Sequence, residues 1–158
     1  MVISVEAPSL RDTARAMSQE NVETVKRAVA AVNARDIDRY LDCCTEDIEL
    51  RIVAMATIGG VYSGQAEIQR FWADISDTIP DFRIEIERLE PIAVDQVLAL
   101  TRISATGRAS GLSVFDDSPA ANVYDFADGK IRRVRIFRDR QEALGAVGLS
   151  EQDAHADS

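Results

Sequence analysis

The chain has 158 residues, with 18 lysines and arginines against 27 aspartates and glutamates, for a formal charge of −9. That length suits one domain rather than two. The acidity argues against nucleic acid or an anionic membrane as partner, because phosphates are repelled. Hydrophobic residues make up 46%, enough for a packed core and unlike disordered chains. No apolar run approaches the roughly 20 residues needed to cross a bilayer.

Residues 1–17 carry Pro8 and mixed charges without the positive start and apolar run of a secretory signal. They are expected to form a flexible extension, with Met17 as an alternative start. The domain proper is expected over 18–150, followed by a polar, disordered tail over 151–158. Val22, Val25, Val29 and Val32 share one helical face, with Ser18 as the expected N-cap and Glu20 and Glu23 at the positive end of the helix dipole. A short second helix after Asp36 turns Ile37, Tyr40, Leu41 and Cys44 inward.

Ile48, Leu50 and Ile52 then alternate with Glu49, Arg51 and Val53, a strand pattern. Gly59-Gly60 breaks the chain before a third helix, whose inner face is Ile68, Phe71, Trp72 and Ile75 and which Pro80 stops. After Pro80 the period becomes two: Phe82, Ile84 and Ile86 alternate with charged residues. Two longer strands follow over 97–106 and 112–126, the second expected to be interrupted around Asp116–Pro119. Asp128-Gly129 marks a hairpin into a last strand over 130–138. Asp139 and Glu142 have capping-box spacing at a short terminal helix, and Gly148 can close it.

Helices gathered on one side of such a meander make an α+β domain in two layers. Strands this long bend, and a sheet bent over helices encloses a cone, a natural place for a small molecule. Cys43 and Cys44 are adjacent, which disfavours a disulfide. One is expected inside and one outside, in a reducing cytoplasm. The only histidine, His155, lies in the tail, so neither metal nor other cofactor is expected.

Several stretches resemble the SnoaL-like branch of the NTF2-like superfamily, also called ketosteroid isomerase-like. They are Val29-Ala-Ala-Val-Asn-Ala-Arg-Asp-Ile-Asp38, Glu46-Asp-Ile-Glu-Leu50, Gly60-Val-Tyr-Ser-Gly-Gln-Ala-Glu-Ile-Gln-Arg-Phe71, Gly107-Arg-Ala-Ser-Gly111, Asp128-Gly-Lys-Ile-Arg-Arg-Val-Arg135 and Arg138-Asp-Arg-Gln-Glu-Ala-Leu144. Their order and spacing cover roughly 18–150. The resemblance implies an NTF2-like cone: a strongly bent antiparallel or mixed sheet around three N-terminal helices, with a short C-terminal helix and an internal cavity. It also implies homodimers through the outer sheet face, and relatives that include isomerases, polyketide cyclases, dehydratases and epoxide hydrolases alongside non-catalytic members.

None of those catalytic sets carries over whole. Steroid isomerisation needs a carboxylate base and two acidic donors, a tyrosine and a protonated aspartate, to hold the enolate oxygen. At those positions the resemblance puts Ile52 for the base, Ala28 for the tyrosine and Ala121 or Asn122 for the second donor. At the epoxide hydrolase positions stand Arg102, Ser104 and Ile136, without either aspartate. The cyclases and dehydratases lean on Asp and His, and 18–150 holds no histidine.

Pocket candidates are therefore chosen by strand face. Arg102 shares a face with Leu98, Leu100 and Ser104, and pointing inward it would need a carboxylate from the protein or a ligand. Asn122 and Tyr124 share another face and offer an amide and a hydroxyl. Tyr62 and Trp72 flank the third helix at the expected mouth. Asp81 reads as a turn residue and Gly107–Gly111 as a turn. The arginines at 132, 133, 135, 138 and 140 read as an outer cluster pairing with acids such as Glu85 and Glu87, or lying at a dimer face. The expectation is a cytoplasmic homodimer that binds a small, largely apolar or aromatic molecule. Cofactor-independent isomerase, cyclase, dehydratase or hydrolase activity remains open, against a non-catalytic dimerisation or ligand-carrier module. An open pocket favours the first, and an interior filled by Trp72, Phe126 and Phe137 the second.

Overall fold

The chain from Leu10 to Ala34 contains no glycine or proline, and in the computed structural model, described over residues 9–53, 60–106 and 113–148, all of it is one helix, α1. Nothing breaks the helix before Ser18, so the cap falls nine residues earlier than the valine stripe suggested: Ser9 Oγ accepts from the Asp12 N–H at 3.1 Å. The expected face is the buried one, with Val25, Ala28, Val29 and Val32 all at or below 5% exposure. At the far end Arg35 takes a left-handed conformation, φ 60°, and terminates α1.

That end is tied to the sheet by two side chains. The Arg35 guanidinium donates to the carbonyls of Pro80 and Phe82, each at 2.6 Å. The Asn33 amide donates to the Ile84 carbonyl at 2.8 Å and accepts from its N–H at 2.9 Å. It thereby stands in for a neighbouring strand at the sheet edge, where backbone groups otherwise lack partners.

Helix α2 (Ile37–Asp42) starts at Asp36, whose carboxylate accepts from the Arg39 N–H at 3.1 Å. Then come β1 (Cys44–Val53), β2 (Gly60–Ser63) and α3 (Gln65–Thr78). The meander is β3 (Arg83–Ala93), β4 (Gln96–Thr106), β5 (Ser113–Ala127) and β6 (Lys130–Phe137), and α4 (Arg140–Ala146) closes the described chain. The sheet order is β2-β1-β6-β5-β4-β3. Every pair is antiparallel except β1 with β6, so the sheet is mixed. The fold class is the expected α+β arrangement.

Two sequence readings need correction. Strand β2 was hidden in what read as a break before α3, because four residues beside a glycine pair carry no legible period. Strand β5 is continuous where an interruption was expected. Ile103 pairs with Ser118 and Ala105 with Phe115, so β5 fits one extra residue there as a bulge. Register shifts also occur in the β1–β6, β3–β4 and β5–β6 pairs, and such bulges let long strands curl. Asp128 and Gly129, with φ of 52° and 78°, make the tight turn between β5 and β6.

The main core lies between the inner sheet face and α1 to α3. A second, smaller core lies on the outer face, where Ala143 and Leu144 of α4 pack with Leu98, Leu100, Val123 and Phe137. Cys43 and Cys44 are both buried and free, not one in and one out. The chain turns from α2 into β1 between them, so both thiols fall inside, reaching the carbonyls of Arg39 and Tyr40. Among the described residues no helix is long and apolar enough to cross a membrane. His155, the tail and Gly107–Gly111 lie outside the described residues.

Candidate functional site

Alternation along each strand decides which side chains meet the helices. Ile52 on β1, Ile84 on β3, Ile103 on β4, Asn122 and Tyr124 on β5, and Val134 and Ile136 on β6 all turn inward. Opposite them stand Phe71, Trp72 and Ile75, which are neighbours on one face of α3. Trp72 is the hub of an aromatic cluster, with ring centres 5.6 Å from Tyr40, 4.9 Å from Phe71 and 6.0 Å from Phe82.

These groups leave two adjoining hollows that share Trp72, Ile84, Asn122 and Ile136 as walls. The space open to the centre of a water molecule is ≈ 20 Å³ in one and ≈ 10 Å³ in the other. That is room for about one water, and far less than the roughly 150 Å³ cavity known to take benzene. The larger hollow is walled by aliphatic and aromatic side chains with a single polar member, Asn122.

The smaller hollow is edged by phenols, Tyr40 and Tyr124, each 3% exposed. The Asn122 amide N–H donates to the Tyr124 hydroxyl at 3.0 Å. Burial pushes the Tyr124 phenol up to about 12, opposed by its bond to Asn122 and helped slightly by the nearby Cys44 thiol. Burial also raises Tyr40 well above its ordinary value, with Cys44 and Tyr124 adding to the rise and the adjacent Trp72 indole opposing it. Cys44 is raised to about 12 by burial first and by Cys43 second. The interior therefore keeps its acids neutral: none of these groups is a base near neutral pH.

Of the residues expected at a pocket, Asn122, Tyr124 and Trp72 come together in these walls. Tyr62 stands just outside them, half-buried on β2, with its ring 4.6 Å from that of Phe71. Arg102 does not face the interior. Its strand face, shared with Leu98 and Leu100, is the outer one that α4 covers, and its guanidinium reaches Glu87 at 2.5 Å. Alternation put Arg102 correctly beside Leu98 and Leu100, but an apolar pair on a strand looked like the inside when it was the seat of α4.

Glu87 is shared, since Arg140 also reaches it at 3.1 Å while donating to the carbonyls of Ala120 and Thr101. Arg132 and Arg138 are exposed, and the acid that Arg133 and Arg135 meet is Asp125 rather than Glu85: Arg133 bonds it at 2.7 Å and Arg135 lies at 3.6 Å. Residues that sequence reasoning did not single out for the site are Tyr40, Phe71, Phe82 and Ile84. Tyr40 and Phe71 were legible only as helix-face core positions. Of the positions carried over by resemblance, Ile52, Asn122 and Ile136 do converge on the hollows, whereas Ala28 is buried away from them.

Comparisons with known proteins agree with this fold. No curated protein matches the chain. Among solved structures, an NTF2-like protein of unknown function from Burkholderia pseudomallei K96243 superposes with a TM-score of 0.68 at 18% identity, over 81% of this chain and 97% of that one. A hypothetical protein of ketosteroid isomerase-like fold from Catenulispora acidiphila, in complex with trimethylamine, gives 0.66 at 17% identity over 80% and 93%. TerC, co-crystallised with polyporic acid, gives 0.66 at 19% identity over 82% and 98%. The SnoaL-like domain pattern matches residues 25–134, which span most of the chain from α1 into β6. The chain therefore belongs to the SnoaL-like domain family, on an NTF2-like, ketosteroid isomerase-like fold.

Proposed function

We propose that this protein binds a small, largely apolar molecule between α3 and the inner face of the sheet. The observation that carries this reading is the character of the larger hollow: aliphatic and aromatic on every side, with one amide as its only polar wall. Such a lining suits an apolar ligand held by burial and oriented by few polar contacts. Two structural neighbours were crystallised with small molecules, trimethylamine and polyporic acid, which supports the reading for this fold.

The described walls offer no carboxylate or imidazole to take a proton, and the phenols and the Cys44 thiol are held neutral through the physiological range. Binding, as in a carrier or sensor, is accordingly the activity this lining supports better than acid–base turnover. Occupancy by anything larger than water requires the wall to open. Helix α3 is the wall suited to it. Its N-cap, Gly64, supplies no side-chain bond, whereas Ser9, Asp36 and Asp139 each cap their helices.

The test uses the protein's single tryptophan, which stands in both hollows. Toluene, methylcyclohexane and cyclohexanol are titrated against intrinsic fluorescence and thermal unfolding. At least one should change Trp72 emission and raise the melting temperature in a saturable way, as ligands of the native state do. No saturable response to any of the three would identify the interior as plain core.

A further inference from the structure

The chemistry of the ligand is written in two unpaired atoms. This step rests on the binding reading above and specifies what it binds. Among the side chains that wall the hollows, two buried polar atoms have no hydrogen-bond partner: Asn122 Oδ1, an acceptor, and Trp72 Nε1–H, a donor. Both residues wall both hollows, and they are 1% and 3% exposed. The indole N–H has the Tyr40 phenol as its polar neighbour and opposes the rise that burial gives that phenol's pKa, but their contact falls short of hydrogen-bond geometry. The hydroxyls of Thr45 and Thr101 are also buried and unpaired, but neither residue walls a hollow.

An unpaired buried donor or acceptor costs roughly 1–3 kcal/mol, so native interiors seldom leave two at one place without a use. With Asn122 Nδ2 donating to the Tyr124 hydroxyl at 3.0 Å, it is Oδ1 that is left without a partner. What remains is one acceptor and one donor on walls of the same apolar space.

Only some chemical groups satisfy both. A protonated amine donates but leaves the indole N–H unpaired. A carboxylate or ketone accepts but opposes its oxygen to Asn122 Oδ1. Either ion would in addition lose its hydration with no opposite charge in the described walls. A hydroxyl both donates and accepts, as a water molecule does, and it can be carried on an apolar body. We propose that the interior selects a compact, neutral molecule with an apolar body and a hydroxyl group. Its O–H donates to Asn122 Oδ1, and its oxygen accepts the Trp72 N–H.

Three probes of similar size and different polarity test this on the full chain: cyclohexanol, cyclohexanone and methylcyclohexane. Binding is read by thermal shift and by the resonance of the only indole N–H. Cyclohexanol should move that resonance downfield, as a new hydrogen bond does, and should bind more tightly than cyclohexanone. In Asn122→Leu, the ratio of cyclohexanol to methylcyclohexane affinity should fall about tenfold, the strength of one such bond.

Tighter binding of cyclohexanone would mean that the amide turns its N–H2 inward, and would overturn the proposal. So would binding of methylcyclohexane with no response to the alcohol, although the apolar binding reading would then survive. If none of the three binds, both readings fall and the two atoms hold at most a buried water. Should Asn122→Leu fail to fold, the indole shift and the alcohol-to-ketone order in the unmodified protein decide the matter alone.

Discussion

The two faces of this one sheet are built on opposite rules. The inner face, from Ile52 across Ile136, Tyr124 and Asn122 to Ile103, admits phenols, thiols and an amide but, among the described residues walling the hollows, no charge. The outer face carries the ions, with Asp125 bonded by Arg133 and Glu87 shared by Arg102 and Arg140. Alternate residues of the same strands serve both. Asn122 and Tyr124 look inward while Val123 and Asp125 look outward, so a single register step would exchange them. Inside, groups must stay neutral to remain buried. Outside, they must stay charged to keep their partners.

The sharpest way to break that contrast is to truncate one side chain on each face. Trp72 touches Tyr40, Phe71 and Phe82 and is 3% exposed. Trp72→Ala should cost about 3–5 kcal/mol in chemical denaturation, the range for large aromatic truncations in cores. Arg102→Met on the outer face removes a pair whose side chains are 40% and 37% exposed, and should cost under about 1 kcal/mol. Comparable losses in the two variants would mean that Arg102 is as deeply integrated as the core.

Alkaline titration is the next largest probe, and it reports the inner face alone. Cys44 is raised from 9.0 to about 12 and Tyr124 from 10.0 to about 12, both chiefly by burial. A folded-state value above the unfolded one means the native state holds its proton longer. The stabilisation is complete below pH 9 and is lost as the pH climbs toward 12. Each such group adds a slope of about 1.4 kcal/mol per pH unit within its window. Unfolding free energy measured between about pH 8 and 11 should therefore fall, and Cys44→Ala should flatten the fall. An unchanged slope in that variant would show that the thiol ionises as freely in the fold as outside it.

How far the sequence displayed these faces can be judged from particular residues. The helix face Ile68, Phe71, Trp72 and Ile75 was fully legible, because four large apolar residues at helical spacing have one way to be buried. So was the pairing of Asn122 with Tyr124, since a strand period of two leaves no other choice. Arg102 was misread for a reason intrinsic to two-layer folds. A strand covered on both faces is apolar on both, and Leu98 and Leu100 serve the small α4 core while Val97 and Ala99 serve the large one. Periodicity separates the two sets without saying which is inside. The hollow's chemistry was illegible for another reason: it lies in which atoms of Asn122 and Trp72 lack partners, and that depends on how α3 and β5, far apart in sequence, come to wall the same space.

The smallest expected effect belongs to the outer face and runs in the opposite pH direction. The hydrogen bond from Arg140 holds the Glu87 carboxyl below its ordinary 4.5, with the charge of Arg102 adding to it. A lowered folded-state value means that the ionised form is favoured by folding. Its contribution is present above about pH 4.5 and is lost as the pH falls through the folded-state value. Because Glu87 is 37% exposed, water screens much of the attraction. Glu87→Gln should thus lower the melting temperature at neutral pH by no more than about 2–4 °C, the shift worth about 1 kcal/mol at this size. The gap between the two proteins should narrow on acidification below about pH 4.5 and close once the pH is below the folded-state value, where the wild-type carboxyl is as neutral as the amide that replaces it. A gap that does not narrow at all as the pH falls below about 4.5 would assign Glu87's role to the shape of its contacts with Arg140 and α4 rather than to its charge.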